Sequence, residues 1–460
     1  MPARRLSTLM MLAALASPVA AQTPTAPVTA PRAPLADAEA HRPTSIPDRI
    51  IRTIAADPSR SIAVTWRTDT TVAGSVAQVA PAEHGPRFLD KARTVPAASQ
   101  DVTTNLGPAR HHSAVVDGLE PSTSYVYRVG DGVEWSEWFE VRTAAAGAEP
   151  FRFIYLGDAQ NNLRSMWSRV IRRAYADAPD AAFIVHAGDL VNRGANDAEW
   201  GEWFAAGGWI NGVVPSVPSI GNHEYDRPRL PDGTAVPGAK GVMTAHWRAQ
   251  FALPDNGPKG LEETAYYFDY QGMRVVSLNS SEGQREQAEW LDRVLADNPQ
   301  AWTVVTFHHP IYSPAERRDN ADLRTLWQPI FDRHKVDIVM QGHDHTYART
   351  GLQSFDAGET ADGAPAAPGT VYVVSVAGPK QYALEHEPWM RRAGEDVQLY
   401  QIITVDGGVL RYEARTATGQ PYDGFELHKQ PDGRPNVLVE RVPDVPEIRR
   451  APAPARAAAN

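Results

Sequence analysis

"VMQGHDHTYART", residues 339–350, places two histidines one residue apart, directly after a short apolar run and a glycine. The apolar run is typical of a buried strand, and Gly342 allows the backbone to turn sharply where that strand ends. A His-x-His pair at such a turn can present one imidazole to each of two neighbouring cations. His343 and His345 are therefore candidate metal ligands, provided that other strands deliver ligands beside them.

Polar side chains also follow four other apolar runs. Because the carboxyl ends of strands in an α/β sheet face one crevice, we expect these side chains to gather at a single sheet edge. Each residue taken alone is as readily explained as a helix or turn cap, but the ordered set favours ligands. The runs "FIYLGD", "FIVHAGD", "VPSIGNHE" and "TVVTFHHP" end at Asp158, at Asp189, at Asn222, His223 and Glu224, and at His308 and His309.

The donor types indicate which ions such a site would hold. Carboxylates, one amide and several imidazoles, in a chain without cysteine, suit divalent or trivalent ions such as Fe, Zn or Mn. The donors exceed what one ion needs. A carboxylate between two ions would build a pair about 3.5–4 Å apart, the spacing that in-line phosphoryl chemistry uses. The sequence therefore predicts two metal ions as cofactors.

Composition limits the class of protein and its partners. A chain of 460 residues is too long for one core, so we expect two folded units with tails. The formal charge of -10 argues against a nucleic-acid partner, which needs a basic face. Residues 1–21 carry Arg4 and Arg5, an apolar run too short to span a bilayer, and small residues at the end. They predict a cleaved signal peptide and a secreted or periplasmic protein without a later membrane span; a membrane anchor is the alternative.

The remaining chain divides by its hydrophobic patterns. Residues 22–45 are rich in Pro and Ala and predict a linker. Short alternating runs over 46–145 predict an all-β sandwich, in which Tyr125 resembles the tyrosine corner of fibronectin type III domains. His111 and His112 in this sandwich are expected at the surface or at a sheet edge. Strands alternate with helical segments over 150–430, which predicts a layered α/β domain with a surface loop at 356–370; residues 431–460 predict a flexible tail.

The order of the motifs resembles a known superfamily. "GD", "GD", "GNHE", "HxP" and "GHxH" follow one another as in the metallophosphoesterase (calcineurin-like) superfamily, and with the fibronectin III-like domain the chain is most similar to purple acid phosphatases. The resemblance implies β-sheets sandwiched by helices and a dinuclear site that hydrolyses small phosphate esters. It also implies roles for single residues: Asp158 and His345 on the first ion, Asp189 bridging, Asn222, His308 and His343 on the second ion, His223 as the catalytic histidine that donates a proton or steadies the leaving oxygen, and Glu224 orienting His223.

Two positions depart from the family pattern. Purple acid phosphatases have a metal-binding tyrosine three residues after the bridging aspartate, where this chain has Asn192. Other members have Asp-x-His at the first motif, where this chain has Gln160. The first ion thus lacks one familiar ligand: a carbonyl oxygen of Gln160 or Asn192 replaces it, or water fills the place. Without the tyrosine, the charge-transfer colour of the family should be absent.

Three further residues are candidates for substrate binding. Arg317 and Arg318 follow the "HHPIY" loop, and a guanidinium matches phosphate bidentately, although a solvated loop charge is the other interpretation. His309 is a candidate beside His308. The resulting hypothesis is an exported, acid-phosphatase-like monoesterase. Its alternatives are a phosphodiesterase with the same site, or a noncatalytic phosphate- or metal-binding protein with an incomplete first metal site.

Overall fold

The computed structural model of the protein describes residues 34–450 except 229, 231, 233, 235, 356–368 and 432–433. The predicted signal peptide lies outside these residues, as do most of the predicted loop 356–370 and the last ten residues of the predicted tail. The described residues from Asp37 onward belong to one compact unit. No helix in the described ranges is long and apolar enough to cross a bilayer.

The N-terminal part is the β-sandwich that the sequence predicts. One layer has the strand order β1-β2-β6-β5 and the other β4-β3-β7-β8, and Trp66 and Tyr127 lie in the core between them. The hydroxyl of Tyr125 accepts a hydrogen bond from the backbone N–H of Glu120 at 2.9 Å, the contact expected of a tyrosine corner. The strands are β1 (Asp48–Thr53), β2 (Ile62–Thr68), β3 (Val76–Pro81), β4 (Arg93–Pro96), β5 (Ala98–Thr104), β6 (Gly107–Val116), β7 (Ser124–Gly130) and β8 (Phe139–Arg142).

The burial of His111 and His112 differs from the prediction made from the sequence. They are 2% and 1% exposed, so the expectation of surface histidines is wrong. The ring of His112 hydrogen-bonds the hydroxyls of Thr68 and Ser99, each at 2.8 Å. Because short hydroxyl side chains on β2 and β5 satisfy both ring nitrogens, the imidazole can be buried without an unpaired polar atom.

The α/β part contains two facing sheets with helices outside them. Parallel β9, β10 and β11 lie in one sheet and parallel β15, β16, β17 and β19 in the other. The helices are α1 (Asp37–Ala40), α2 (Ser168–Asp177), α3 (Asp197–Gly207), α4 (Ile210–Val213), α5 (His246–Gln250), α6 (Gln284–Ala296) and α7 (Ala321–Arg333). The strands are β9 (Phe151–Leu156), β10 (Ile184–His186), β11 (Ser216–Pro218), β12 (Tyr225–Asp226), β13 (Val242–Met243), β14 (Tyr266–Tyr270), β15 (Met273–Ser277), β16 (Trp302–Phe307), β17 (Ile338–Gln341), β18 (Tyr347–Gln353), β19 (Thr370–Val374), β20 (Met390–Gly394), β21 (Leu399–Asp406), β22 (Val409–Thr416), β23 (Pro421–His428) and β24 (Val437–Glu440).

Buried apolar residues form the layers of this part. Tyr155 on β9 and Val304 on β16 belong to the core cluster between the sheets. Leu291 of α6 and Trp327 of α7 pack with Val339 on the outer face of the second sheet. α2 lies against β9 and β21 on the first sheet. These layers match the predicted arrangement of β-sheets sandwiched by helices.

The sandwich and the α/β part share one sheet. Its order is β24-β23-β22-β21-β9-β10-β11-β1-β2-β6-β5, eleven strands in all. β1 runs parallel to β11 with Thr53 opposite Ser216, and the N–H of Ile54 donates to the carbonyl of Ser216 at 3.1 Å. The two predicted domains are therefore joined by main-chain hydrogen bonds as well as by side chains.

A buried ion cluster strengthens this connection. Asp197, the first residue of α3, bonds Arg49 of β1 at 2.7 Å and Arg67 of β2 at 3.2 Å. Nε2 of His246 on α5 lies 3.2 Å from the same carboxylate. The side chains of all four residues are at most 5% exposed. A single carboxylate thus holds two strands of the sandwich against two helices.

Both predicted flexible ends are partly ordered. α1 lies within the predicted linker 22–45, and residues 434–450 of the predicted tail contain β24, which pairs with β23. The carbonyl of Ile448 accepts from the N–H of Glu395 at 2.9 Å, and Arg450 pairs with Asp396 at 2.7 Å. The prediction of a flexible tail is therefore wrong for residues 434–450, because backbone and charge pairing outweigh a composition poor in large apolar residues.

Candidate metal centre

Five strands of the two sheets end at one place, and each delivers polar side chains there. β9, β10 and β11 belong to the eleven-stranded sheet, whereas β16 and β17 belong to the seven-stranded sheet. The expectation of a single sheet edge is therefore wrong in one respect, because two facing sheets supply the donors. The residues that follow the five strands are Asp158, Asp189, Asn222 with His223, His308 with His309, and His343 with His345.

These side chains form two donor groups that share one carboxylate. The first donor group is Asp158, Asp189 and His345, and the second donor group is Asp189, His308 and His343. Within each group the ligand atoms lie within 4.8 Å of one another. Asp189 is the member common to both, which is the position that a bridging ligand requires.

In the first donor group, Nε2 of His345 lies 3.1 Å from Oδ2 of Asp158. The other ring nitrogen, Nδ1, bonds the carbonyl of Lys380 at 2.9 Å. A carbonyl can only accept, so this bond places the proton on Nδ1 and leaves the lone pair of Nε2 facing Asp158. Tyr382 stacks on the same imidazole, with ring centroids 4.4 Å apart, and limits its rotation.

In the second donor group, Nε2 of His308 lies 3.1 Å from Oδ2 of Asp189. It is also 3.1 Å from Oδ1 of Asn222 and 3.1 Å from Nδ1 of His343. Nδ1 of His308 donates to the carbonyl of Ala187 at 2.9 Å, which fixes the ring as Lys380 does in the first group. The amide oxygen of Asn222 is thus a fourth donor for this group.

The backbone takes uncommon conformations where the ligands emerge. Asp189 and His343 have φ values of 49° and 69°, in the left-handed region that few non-glycine residues occupy. A Cβ on Gly342 would lie 2.2 Å from Oδ1 of Asp158, so only glycine fits there. The N–H of His343 donates to that oxygen at 2.7 Å. Such conformations cluster at functional sites because surrounding contacts hold them.

The family resemblance implied that Glu224 orients His223, but Glu224 has a different role. Its buried carboxylate instead accepts backbone N–H groups of Gly221 at 2.8 Å, Asp189 at 3.0 Å and Leu190 at 2.8 Å. Burial and the nearby Asp189 raise the pKa of Glu224 to about 8. Its structural role is to hold the turns that carry Asp189 and Asn222.

The ring of His223 is oriented by the main chain. Nδ1 of His223 bonds the carbonyl of Asn192 at 2.5 Å, and its backbone N–H donates to Oδ1 of Asp189 at 2.9 Å. Nε2 lies 3.9 Å from Oδ2 of Asp189, and the side chain is 30% exposed. His223 therefore stands between the donor groups and solvent, with Nε2 available to a bound molecule.

The two open candidates for the missing ligand occupy different places. Nε2 of Gln160 lies 3.0 Å from Oδ2 of Asp189 and 3.1 Å from Nε2 of His345, inside the first donor group. Asn192 lines a surface cleft beside Asn222 instead.

The arginines are placed differently from a free phosphate clamp. The guanidinium of Arg318 bonds the buried carboxylate of Asp344 at 2.9 Å and lies 4.7 Å from the ring centroid of Tyr382. The exposed Arg317 donates its backbone N–H to the carboxylate of Glu385 at 3.1 Å. Arg318 therefore neutralises the aspartate between the two histidines of "GHDH".

His309 packs behind the second donor group. Its Nδ1 lies 2.8 Å from the hydroxyl of Ser280, and its ring centroid is 4.3 Å from that of His343. Burial and the neighbouring His308 lower the pKa of His309 to about 3. The ring of His309 is therefore neutral, so it would bind an anion only weakly. Its role is to pack against the candidate metal ligand His343.

The donor set fits metal cations. Oδ2 of Asp158 and Oε1 of Gln160 are buried and have no hydrogen-bond donor among the described residues. Burial opposes protonation of His308, but the carboxylates of Asp189 and Asp158 outweigh it and raise the pKa of His308 to about 10. The site therefore carries excess negative potential, which cations would neutralise, and it offers the oxygen and nitrogen donors that Mn, Zn or Fe accept.

A cleft of about 540 Å³ opens beside the second donor group. Asn222 and His223 form part of its wall, with Arg193 and Arg227. Asn105, from the turn between β5 and β6, adds a side chain of the sandwich to the same cleft. The volume is that of a site for a small molecule.

Several contacts around the donor groups were not predicted from the sequence. The position of Asp344 inside "GHDH" was a usable signal, because a buried carboxylate needs a partner. Tyr382 follows β19 in an irregular segment without a motif, and nothing in the sequence marked it. The carbonyls of Lys380 and Ala187 are main-chain groups, which no side-chain pattern reveals.

Comparison with known proteins gives independent information. Residues 47–143 match the purple acid phosphatase N-terminal domain, and residues 151–347 match the calcineurin-like phosphoesterase domain. An uncharacterized protein of Mycobacterium tuberculosis is 28% identical over 333 residues, which cover 64% of this chain and 60% of that protein. The Fe(3+)-Zn(2+) purple acid phosphatase 12 of Arabidopsis thaliana is 27% identical over 256 residues, 52% of each chain. The chain thus spans little more than half the length of these relatives.

Solved structures show the same fold. A purple acid phosphatase from yellow lupin (Lupinus luteus) seeds superposes with a TM-score of 0.71 at 20% identity and covers 84% of this chain and 75% of that chain. A structure of PhoD superposes with a TM-score of 0.62 at 14% identity, covering 88% of this chain and 95% of that chain. At such identities the likeness concerns the fold alone.

Proposed function

We propose that this chain hydrolyses phosphate monoesters at a dinuclear metal site. The premise is the match of residues 151–347 to the calcineurin-like phosphoesterase domain and of residues 47–143 to the purple acid phosphatase N-terminal domain. The observation that carries the proposal is the position of Asp189 in both donor groups. One carboxylate shared by two sets of donors suits two ions and is more than a single ion requires.

The residues divide between the ions as follows. Asp158 and His345 would hold the first ion with Asp189. Asn222, His308 and His343 would hold the second ion, again with Asp189. The ions would be Fe, Zn or Mn, and when bound they would activate a water molecule and neutralise phosphoryl oxygens.

His223 is the proton donor in this proposal. The carbonyl of Asn192 fixes Nδ1 as a donor, so Nε2 is the nitrogen that faces a bound ester. A proton held on Nε2 would pass to the leaving alkoxide as its bond to phosphorus breaks. The backbone bond to Asp189 ties the position of His223 to the donor groups.

The substrate would be a small phosphate ester in the cleft beside Asn222 and His223. Arg227 lines this cleft and has no ion-pair partner in the described part of the chain, whereas Arg193 pairs with Glu199 at 2.7 Å. A cation at the cleft wall would attract an anionic ester. Export is part of the proposal and rests on the composition of residues 1–21.

A metal-reconstituted activity panel tests the function. Metal-free protein would be loaded with Mn, Zn or Fe and assayed with p-nitrophenyl phosphate, bis-p-nitrophenyl phosphate and pyrophosphate, with metal analysis of the same sample. Two ions per chain and fastest hydrolysis of the monoester are expected. Faster hydrolysis of the diester than of the monoester would identify a phosphodiesterase. One bound ion per chain without hydrolysis would support a noncatalytic binding protein.

A further inference from the structure

The side-chain amide of Gln160 is buried, and its NH₂ group has hydrogen-bond partners whereas its oxygen has none among the described residues. The residue is 1% exposed, and its Oε1 has no hydrogen-bond donor among the described residues. Its Nε2 lies 3.0 Å from Oδ2 of Asp189 and 3.1 Å from Nε2 of His345. A buried acceptor without a partner destabilises the folded state, so this arrangement calls for a compensating ligand.

The atoms next to Nε2 are metal donors of the first donor group. A cation among them would repel an NH₂ group and attract a carbonyl oxygen. The two ends of a glutamine amide have nearly the same size, so a half-turn of the amide exchanges them without moving the side chain. In the exchanged orientation, Oε1 joins Asp189 and His345 around the ion.

The spacing of the atoms suits a shared ion. Nε2 of His345 lies 3.1 Å from Oδ2 of Asp158 and 3.1 Å from the amide end of Gln160, which in turn lies 3.0 Å from Asp189. Neighbouring ligands at right angles around an ion with bonds of about 2.1 Å are about 3.0 Å apart. The separations between side chains are thus those of adjacent ligands.

The backbone fixes Gln160 in this place. The N–H groups of Ala159 and Gln160 both donate to the carbonyl of Asp189 at 3.2 Å. Asn161 and Asn162 follow with φ values of 70° and 48°, so the chain turns away directly after Gln160. The turn that carries the amide is therefore tied to the carboxylate common to both donor groups.

Asn192, the other candidate for the missing ligand, has a different role. The backbone carbonyl of Asn192 accepts from Nδ1 of His223, and the residue lines the cleft. Within the described ranges, the side chain of Asn192 makes no hydrogen bond to a member of the first donor group. Water is also a poor alternative, because the amide of Gln160 already occupies the space between Asp189 and His345.

We propose that the amide oxygen of Gln160 is the protein ligand that completes the first metal site. This inference rests on the proposed dinuclear function. A neutral amide adds no negative charge to the two carboxylates and the imidazole, so the set balances a divalent ion better than a trivalent one. The first site should therefore prefer Mn²⁺ or Zn²⁺ to Fe³⁺.

Titration of the metal-free full chain with Co²⁺ tests the inference. Co²⁺ reports the coordination of each site by its visible absorption, and metal analysis gives the stoichiometry. The wild type should bind two ions. Gln160→Ala should keep one tight ion and weaken the other at least about tenfold, because even residues outside the ligand set change metal affinity by that factor. Asn192→Ala is the matched control and should bind both ions with wild-type affinity.

Two further variants guard against a folding defect in Gln160→Ala. Gln160→His supplies an imidazole nitrogen, and Gln160→Glu supplies a carboxylate of the same length. Both should bind two ions, and the melting temperature of Gln160→Glu should rise more than that of the wild type when Co²⁺ is added, since the ion relieves repulsion among three carboxylates. An equal rise would overturn the inference.

The remaining outcomes separate the two proposals. Unchanged metal affinity in Gln160→Ala, or loss of an ion in Asn192→Ala, would overturn the role of Gln160. The proposed function would still stand in that case if the wild type binds two ions and hydrolyses the ester. A wild type that binds fewer than two ions would overturn both.

Discussion

Nε2 of His308 lies 3.1 Å from Oδ2 of Asp189, although the two residues follow strands of different sheets. Their separation is therefore set by how the two sheets pack across the core, and no loop alone determines it. The core between them is made of fully buried side chains such as Tyr155 and Val304. Dense packing of this kind holds donor atoms to within fractions of an ångström.

Removing the shared carboxylate should affect both ions at once. Asp189→Ala is expected to abolish metal loading and hydrolysis together, because the residue belongs to both donor groups. Metal analysis and p-nitrophenyl phosphate turnover on one sample would check this. His84→Gln, at an exposed histidine of the sandwich, is the control and should retain both. Retained turnover in Asp189→Ala after loss of the metals would contradict the mechanism.

The effect of replacing His223, the proposed proton donor, should depend on the leaving group. His223→Gln is expected to lower kcat about 100-fold for an alkyl phosphate, the usual contribution of a general acid. The loss should be smaller for p-nitrophenyl phosphate, because p-nitrophenolate leaves without a proton. Steady-state kinetics and metal analysis would measure both effects. Equal losses on the two substrates with full metal content would argue for a purely structural role of His223.

The buried ion cluster should be important for stability. Asp197→Ala is expected to reduce the free energy of unfolding by roughly 3–5 kcal/mol, since it leaves Arg49 and Arg67 buried without this partner. Urea unfolding followed by fluorescence would measure the loss. Asp90→Ala removes an exposed ion pair with Arg87 and serves as the control, in which little change is expected. Similar losses in both variants would contradict this account.

Buried histidines should make the fold sensitive to mild acid. Burial lowers the pKa of His111 to about 3, of His112 to about 4 and of His186 to about 3, from an ordinary value of 6.5. Between pH 6.5 and about 4 the unfolded chain binds more protons than the folded one, so the free energy of unfolding should fall as the pH falls. Unfolding curves at several pH values would show this. His112→Gln should have a shallower dependence, and an unchanged slope would contradict the assignment.

Iron loading should leave the protein without the purple colour. The residue three positions after Asp189 is Asn192, so the tyrosine-to-iron charge transfer of the resembling enzymes has no tyrosine there. A visible spectrum of the Fe³⁺-loaded protein, with iron content measured in parallel, would check this. A strong visible band would mean that another phenol, such as that of Tyr382 beside His345, reaches the metal.

The sequence allowed the convergence of donors to be predicted because strand ends and their glycines are local signals. Asp158, Asp189 and His345 could be placed together from such signals alone. The orientation of Gln160 and the partner of Arg318 depend on contacts between segments far apart in the chain, which periodicity does not encode. The burial of His111 was missed for the same reason, since two of its neighbours, Asp197 and His246, come from the α/β part.

The parallel pairing of β1 with β11 bears on how the protein can be divided. A fragment that began after the sandwich would leave β11 with unpaired main-chain groups along one side, and such an edge recruits strands from other molecules. A truncated gene that encodes only the α/β part would thus yield a product prone to self-association, so a shortened protein should still begin before Asp48.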